Sequence, residues 1–547
     1  MRLLPRILPT QEEHEEEEDR RLEQQNPEAP EEPNFKRLHW AWPAGVAAAA
    51  AIPRLIYLFV FTDPQNAGHG FTDAYHHWQI AYLTKEIGLA HGPRLWDLRG
   101  WEYFWGPVHP ALMDLLFFVT GSADIVLARL LSLVFGTLVV VLIFLLCHRH
   151  WGTTVAVLAS MFAALAPASI FNDVAGMVEP IGIALVLFGI WLAPRHGFWA
   201  GVSWALAAMA RVEAWVFGAG LVVASLLTRR QGRPRWPLVA GWVLAMGVYM
   251  KFLFDQTGDP LYPLAWSIRF IVFGEFNAPA TLRAGQEMLQ VVMAGGVVAS
   301  AAGLAWSLWK RPPSYLLLVY GFGYSAHSFA TFVKVDEWKE RRMELPMDFA
   351  AILVAVLLFK VLPQWRPRFK AVGWASAVAG LLAVQIFWIP IQSAYAATEP
   401  GFREQIRMGG AIAAVYNRSE YRGGGLTVPG DQPTLVYTLV RDGKVPGARI
   451  SSEFYDPFYY LPAGYRYVDH KERAGTLLRC WLGNTHTRLL LIPPSSAFNH
   501  SVGDYRAFIA DHPEWFVDTA AQLDPGWSLV AVEPPAATPN ECARSAG

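Results

Sequence analysis

Four short polar segments interrupt an otherwise apolar sequence, and each could do chemistry. The first, FTDAYHHW (71–78), sets Asp73 beside His76 and His77. A carboxylate held near a membrane plane can take a proton from a hydroxyl presented there. Thr72 and Asp73 would equally serve as the N-cap of a helix. The second segment, NDVAGMVEP (172–180), carries Asp173 and Glu179. Either acid could meet Asp73 across a cavity and share with it one proton or a divalent cation such as Mg or Mn; either could also be a plain loop acid, and Asp173 suits a cap. The third is Arg211 with Glu213, close enough in sequence to pair with each other. The fourth, KVDEWKERRMELP (334–346), holds Lys334, Lys339, Arg341 and Arg342. Arginine grips phosphate through two parallel hydrogen bonds, although an ordinary charged loop would read the same way. His76 and His77 point about 100° apart on a helix and do not readily share one metal. With His69, His91 and His109 nearby, interfacial histidines are preferred to a zinc site.

These groups must be positioned by elements that the composition already restricts. Charged residues make up 17% of the 547 residues and hydrophobic ones 53%, with 23 Trp and 32 Phe; soluble domains run at about 25% charged. Residues 41–399 hold only 45 of the 91 charges. That middle stretch is apolar enough to be embedded in lipid. Apolar runs near 42–61, 125–147, 153–170, 180–193, 197–210, 212–228, 237–254, 289–309, 315–333, 346–362 and 372–396 predict about eleven transmembrane helices. The stretch 197–228 is divided because Arg211 and Glu213 would otherwise lie at mid-bilayer, at about 3 kcal/mol each. A soluble enzyme, a coiled coil and a nucleic-acid binder are excluded; a net charge of -1 offers a phosphate backbone nothing.

Five connecting loops, at 148–152, 194–196, 229–236, 310–314 and 363–371, are basic and contain no acid. The positive-inside rule makes them cytoplasmic, which puts the N-terminus inside and residues 400–547 outside, along with all four polar segments. Residues 1–40 read as a disordered acidic cytoplasmic tail. The first outer loop, 62–124, should hold amphipathic juxtamembrane helices: Tyr75, Trp78 and Tyr82 form one stripe, and Ile80, Leu83 and Ile87 another, which suits a helix lying along the interface. Residues 400–547 predict an extracytoplasmic α/β domain, with helices at REQIRMGGAIAAVY and YRAFIADHPEW and strands at TLVYTLV, RLLLIPP and SLVAVE. Cys480 and Cys542 could pair if that domain lies in an oxidising compartment, while Cys147 reads as packing.

Taken together, the pattern resembles the GT-C superfamily of membrane glycosyltransferases, whose members include dolichyl-phosphate-mannose-dependent mannosyltransferases, oligosaccharyltransferases and the lipid A aminoarabinose transferase. The resemblance rests on an arginine in the first span (Arg54), FTDAYHHW, GPVHPALMDLL, an Arg-led span ARLLSLVFGTLVVVLIFLL, Glu179 after a span ending in AP, GVSWALAAMARVE, GDPLYPL and ERRMELP. It covers residues 42–362 and implies an integral protein of a bacterial plasma membrane, a polyprenyl-phosphate-linked sugar donor, and a lipid, glycan or protein acceptor. By position, Asp73 resembles the first-loop catalytic acid and Glu179 the second-loop acid. Arg341 and Arg342, with Lys334, resemble the cations that hold the departing lipid phosphate, and His76, His77, Arg211 and Glu213 would line the site. Several member families carry Asp-Glu where Ala74 follows Asp73 here, so the acceptor stays open. The rival readings are a multi-span transporter or flippase, and a scaffold that has lost activity. The absence of visible inverted repeats and the long first loop weigh against transport.

Overall fold

Apolar backbone in lipid can satisfy its polar groups only by winding into helices, and the sequence supplies the stops. The computed structural model describes residues 39–62, 72–88, 105–227, 236–272, 286–335, 340–365, 372–376, 379–380, 400–428, 432–452, 471–494 and 502–533. Helix α1 (Ala41–Ile56) continues through a π turn at Tyr57–Phe61. The first outer loop contributes α2 (Thr72–Ile87) and α3 (Val108–Thr120), followed by α4 (Ile125–Trp151). The Asp124 side chain caps α4, accepting from the Val126 N–H at 2.9 Å. Helices α5 (Thr153–Leu165) and α6 (Pro167–Val174) form one path bent by 61°. Ala166 is extended and Pro167 opens α6 at a position where its missing N–H costs nothing. Then come α7 (Glu179–Leu192), α8 (Gly197–Ala210), α9 (Glu213–Leu227), α10 (Trp236–Thr257), α11 (Tyr262–Val272), α12 (Gln286–Lys310), α13 (Tyr315–Val335) and α14 (Glu340–Val356), the last continuing to Trp365.

Ten of the eleven expected runs are therefore helical; the eleventh, 372–396, lies mostly outside the described residues, as does the tail 1–38. Among the described residues, six helices are long and apolar enough to cross a membrane, or seven with the bent α5–α6 pair, while α3, α7, α8 and α9 are shorter apolar helices. The expected figure of about eleven spans is not reached on length. Large apolar side chains face outward, among them Phe118 at 80% and Trp309 at 74% exposure, an arrangement suited to lipid. The division at 211 is as expected: Arg211 is extended and joins α8 to α9.

Residues 400–533 build a mixed sheet on helices α15 (Pro400–Tyr416), α16 (Pro433–Val440), α17 (Lys471–Asn484) and α18 (Val502–Asp511). Its strands are β1 (Gly425–Val428), β2 (Ile450–Ser452), β3 (Thr487–Ile492), β4 (Phe516–Asp518) and β5 (Ser528–Val532), in the order β2-β1-β3-β5-β4. β1 runs parallel to β2 and β3, and the remaining pairs are antiparallel. One element differs from expectation. TLVYTLV is helix α16, not a strand, because Pro433 starts a helix well and the segment is buried throughout, leaving no polar alternation to reveal its period. Cys480 is disulfide-bonded and Cys147 is buried and free; Cys542 lies outside the described residues.

Helix α2 also departs from expectation. Its described stripe residues pack into protein and do not face out along the interface: Tyr75, Trp78, Ile80 and Leu83 are buried and Tyr82 is partly buried. Ile80 and Leu83 enter the core of the transmembrane bundle. Tyr75 and Trp78 enter the core of the C-terminal domain beside Leu435, Tyr437 and Tyr416. Trp78 meets the Tyr437 ring edge-on at 4.9 Å and donates to the Ala123 carbonyl at 2.7 Å. Gly447 leaves the space that the Tyr82 ring fills; a Cβ there would lie 2.4 Å from it. Two stripes on one short helix therefore serve two bodies.

Candidate active site

Asp73 lies in the first turn of α2 and is half-buried, with its charge acting on His76 and His77. His76 stacks on Trp105 at 5.4 Å, and His77 lies 4.8 Å from His109. Burial pushes His76 down to about 4, against the pull of Asp73. It holds His77 well below the ordinary imidazole range as well, reinforced by His109. All three rings lie in closely packed protein, and neither ring nitrogen of His77 or of His109 finds a hydrogen-bond partner among the described residues.

Ala74, next to Asp73, packs against Ala175 and Met177 of the loop after α6. Ser132 of α4 fixes that loop by donating to the Met177 carbonyl at 2.6 Å. The loop ends at Glu179, which opens α7 and is buried. The Arg211 guanidinium lies 2.5 Å from Glu179 and also grips Glu213 through two nitrogens, at 2.5 and 3.1 Å. Arg211 thus joins two carboxylates, and its pairing with Glu213, expected from the sequence, extends to Glu179. Phe217, Tyr320 and Tyr324 complete this cleft. Arg342, on the first turn of α14, acts electrostatically on Glu213 and on His327 of α13. The side chains of Lys334 and Arg341 lie outside those described, and so does Lys339.

Glu213 and His327 also head an apolar cavity of about 520 Å³ that is walled by Val216, Leu221 and Leu227 of α9 and by Leu304 and Leu308 of α12. A carboxylate–guanidinium–carboxylate cluster therefore opens directly onto a hydrocarbon-like slot.

Asp173 is neither a cap nor a loop acid. It belongs to α6 and pairs with Arg54 of α1 at 2.6 Å, both groups buried. Arg54 also donates to the carbonyls of Ala50 and Ala164. Gly136 of α4 makes room for this carboxylate, since a Cβ there would sit 2.0 Å from it. Sequence reasoning passed over Tyr320, Tyr324, His327, Glu344 and Asp348. His327 and Asp348 were visible as ionisable groups inside apolar runs, which mark functional positions in membrane proteins, while Glu344 lay among the charges of the fourth polar segment. The two tyrosines carried no such signal.

A divalent cation fits this donor set poorly. Glu179 is engaged by Arg211, and among the described residues no three His, Cys, Asp or Glu side chains converge to hold a metal.

No protein-family model matches this sequence, and no curated protein sequence resembles it. Solved structures do. The apo oligosaccharyltransferase of Archaeoglobus fulgidus is 11% identical with a TM-score of 0.52, over 87% of this chain and 72% of that one. ArnT of Cupriavidus metallidurans, solved with undecaprenyl phosphate, is 15% identical with a TM-score of 0.49, over 91% and 100%. The mycobacterial arabinofuranosyltransferase AftD is 16% identical with a TM-score of 0.44, over 91% and 40%.

Proposed function

From a chain that has the fold of the GT-C glycosyltransferases, we propose a membrane enzyme that moves a sugar from a polyprenyl-phosphate carrier to an acceptor hydroxyl on the extracytoplasmic face, with inversion. The observation that carries this reading is the junction of an ionic cluster with an apolar cavity, the two sharing Glu213, Phe217 and Tyr320. Such a junction suits a ligand with a polar head and a long hydrocarbon tail. Because the Glu179–Arg211–Glu213 cluster is itself net negative, the charge of a prenyl phosphate would be met by Arg342 beside it.

In the proposed step, the acceptor oxygen attacks the anomeric carbon from the face opposite the phosphate. Asp73 takes the hydroxyl proton as the new C–O bond forms. The bond from the anomeric carbon to the phosphate oxygen breaks, and polyprenyl phosphate departs with its electron pair. Arg342, with Arg341 and Lys334, would compensate the charge that develops on the phosphate. Arg211 is already balanced by two carboxylates, so its role is to fix Glu179 and Glu213 at the cleft wall. His76 and His77, neutral in their setting, would shape the acceptor side. The acceptor remains a lipid, a glycan or a protein. The disulfide at Cys480 supports an oxidising, extracytoplasmic position for the C-terminal domain, and the bacterial plasma membrane is the setting we propose.

The test uses purified protein in nanodiscs with a panel of radiolabelled polyprenyl-phosphate sugars and membrane extract, scoring free polyprenyl phosphate. Wild type should release it. Asp73→Asn should lower the rate by at least about a hundredfold with an unchanged melting temperature. Absence of release from every donor by folded wild type would instead favour a transporter or a scaffold.

A further inference from the structure

The proposed reaction needs two arms held in register: the acids on α2 and at the start of α7, and the phosphate-gripping arginines at the start of α14. Nothing in the reaction itself specifies what sets their spacing. Among the described residues, a polar link between them runs through α6.

On α14, Glu344 and Asp348 are four residues apart and therefore share one face of the helix. Both are buried, at 1% and 2% exposure, at the head of an apolar run. Carboxyl groups in such a place are costly unless they are engaged. Glu344 accepts from the Asn172 side chain at 3.4 Å, and Asp348 accepts from the Ser169 hydroxyl at 3.3 Å. Ser169 and Asn172 are three residues apart, so they too share a face, on α6. Glu344 also hydrogen-bonds the Asp173 carboxyl, and the result is a ladder between α14 and α6.

Helix α6 is itself anchored. Asp173 ties it to α1 through Arg54, and the loop that follows it is fixed by Ser132 and packs on Ala74 before reaching Glu179. The ladder begins two residues after Arg342, and its other end lies seven residues before Glu179. Neither Glu344 nor Asp348 is among the residues that line the ionic cleft or the apolar cavity.

We propose that Glu344 and Asp348 are positioning residues that hold the arginine-bearing end of α14 in register with Asp73 and Glu179 through hydrogen bonds to α6. The inference rests on the glycosyl-transfer reading of the site. It requires the carboxyl groups as hydrogen-bonding partners and not their charge. Breaking the rungs leaves the phosphate grip and the acid each intact but out of step, so turnover falls while donor binding persists.

The experiment measures kcat and KM for the donor identified in the release assay, with melting temperature recorded for each variant. Glu344→Ala and Asp348→Ala should lower kcat roughly 10- to 100-fold, the scale of a misplacement of about 1 Å, with KM held within about threefold. Glu344→Gln and Asp348→Asn keep an acceptor oxygen and should restore most of the rate. Asn172→Ala and Ser169→Ala cut the same rungs from the other helix, which keeps the test open if an α14 variant fails to fold. Combined with Glu344→Ala, Asn172→Ala should add little, as expected for two ends of one interaction. Unchanged kcat in all four alanine variants, a rise in KM alone, or amide variants as defective as alanine ones would overturn the inference and leave the functional reading standing. Failure of wild type to release prenyl phosphate would overturn that reading and this inference with it.

Discussion

His76 shows how one buried side chain makes the whole protein sensitive to pH. Its folded-state pKa is depressed to about 4 from the usual 6.5, so the unfolded chain binds the proton more tightly. The stability contributed by keeping the ring neutral is present above pH 6.5 and is lost as pH falls towards 4. That loss is of order 3 kcal/mol, and His77 acts in the same direction. A melting temperature followed in nanodiscs from pH 7 to pH 4 should fall, and His76→Phe should flatten part of the slope. At Glu179 the expectation concerns metal. With Arg211 already on the carboxylate, EDTA should change turnover less than about twofold, whereas a loss restored by Mn would mean that Glu179 exchanges its guanidinium for a cation during the reaction. Asp73, Glu179, Arg211, Glu213 and Arg342 were all legible in the sequence, because an ionisable group in an apolar chain must have a reason to be there. The Arg54–Asp173 pair was not, because its members are 119 residues apart and sequence spacing says nothing about contact at that range.

Elements were legible wherever one rule decided them. The break between α8 and α9 followed from two charges that could not sit at mid-bilayer, and β3 and β5 followed from their apolar runs. Helix α16 was misread because Thr, Val and Tyr favour strands while its all-round burial hid the helical period. Strands β1, β2 and β4 are three or four residues long, too short for any periodicity to show. Helix α2 was recognised as amphipathic but given the wrong neighbour. Its two stripes could equally have met lipid headgroups or protein, and only the C-terminal domain decides between them. Trp78 is the test: it is 1% exposed, stacks on Tyr82 at 4.9 Å and meets Tyr437 edge-on. Trp78→Ala should cost about 3–5 kcal/mol, read as a lowered melting temperature, and should increase proteolytic release of the C-terminal domain.

At the scale of the molecule, the fold is two bodies that share a helix. The transmembrane bundle supplies Glu179, Arg211, Glu213 and Arg342, but the helix bearing Asp73 owes its burial to both bodies. The C-terminal domain therefore helps to hold the helix that carries Asp73 of the candidate site. Ending the chain at residue 399 should expose Tyr75 and Trp78, loosen α2 and abolish prenyl-phosphate release, even where the bundle still inserts. Retained activity in that truncation would show that α2 is held by the bundle alone. The amino-acid composition announced the membrane part at once, and the small domain by its return to ordinary charge density. The docking between them was out of reach, because it depends on which aromatic rings meet across more than three hundred residues of chain.

The ion pair between Arg54 and Asp173 has a consequence for biosynthesis. α1 reaches the membrane before α6, carrying an arginine whose partner is encoded 119 residues later. At about 5–20 residues per second of synthesis, that charge waits roughly 6 to 24 seconds before its acid emerges. An unpaired arginine at the helix centre disfavours insertion by about 2.5–3.5 kcal/mol. During this interval the first helix is retained by the insertion machinery or rides with its arginine towards the headgroups. The expected outcome is that it reaches its final depth only when α6 arrives, so that the order of translation and the order of membrane settling differ.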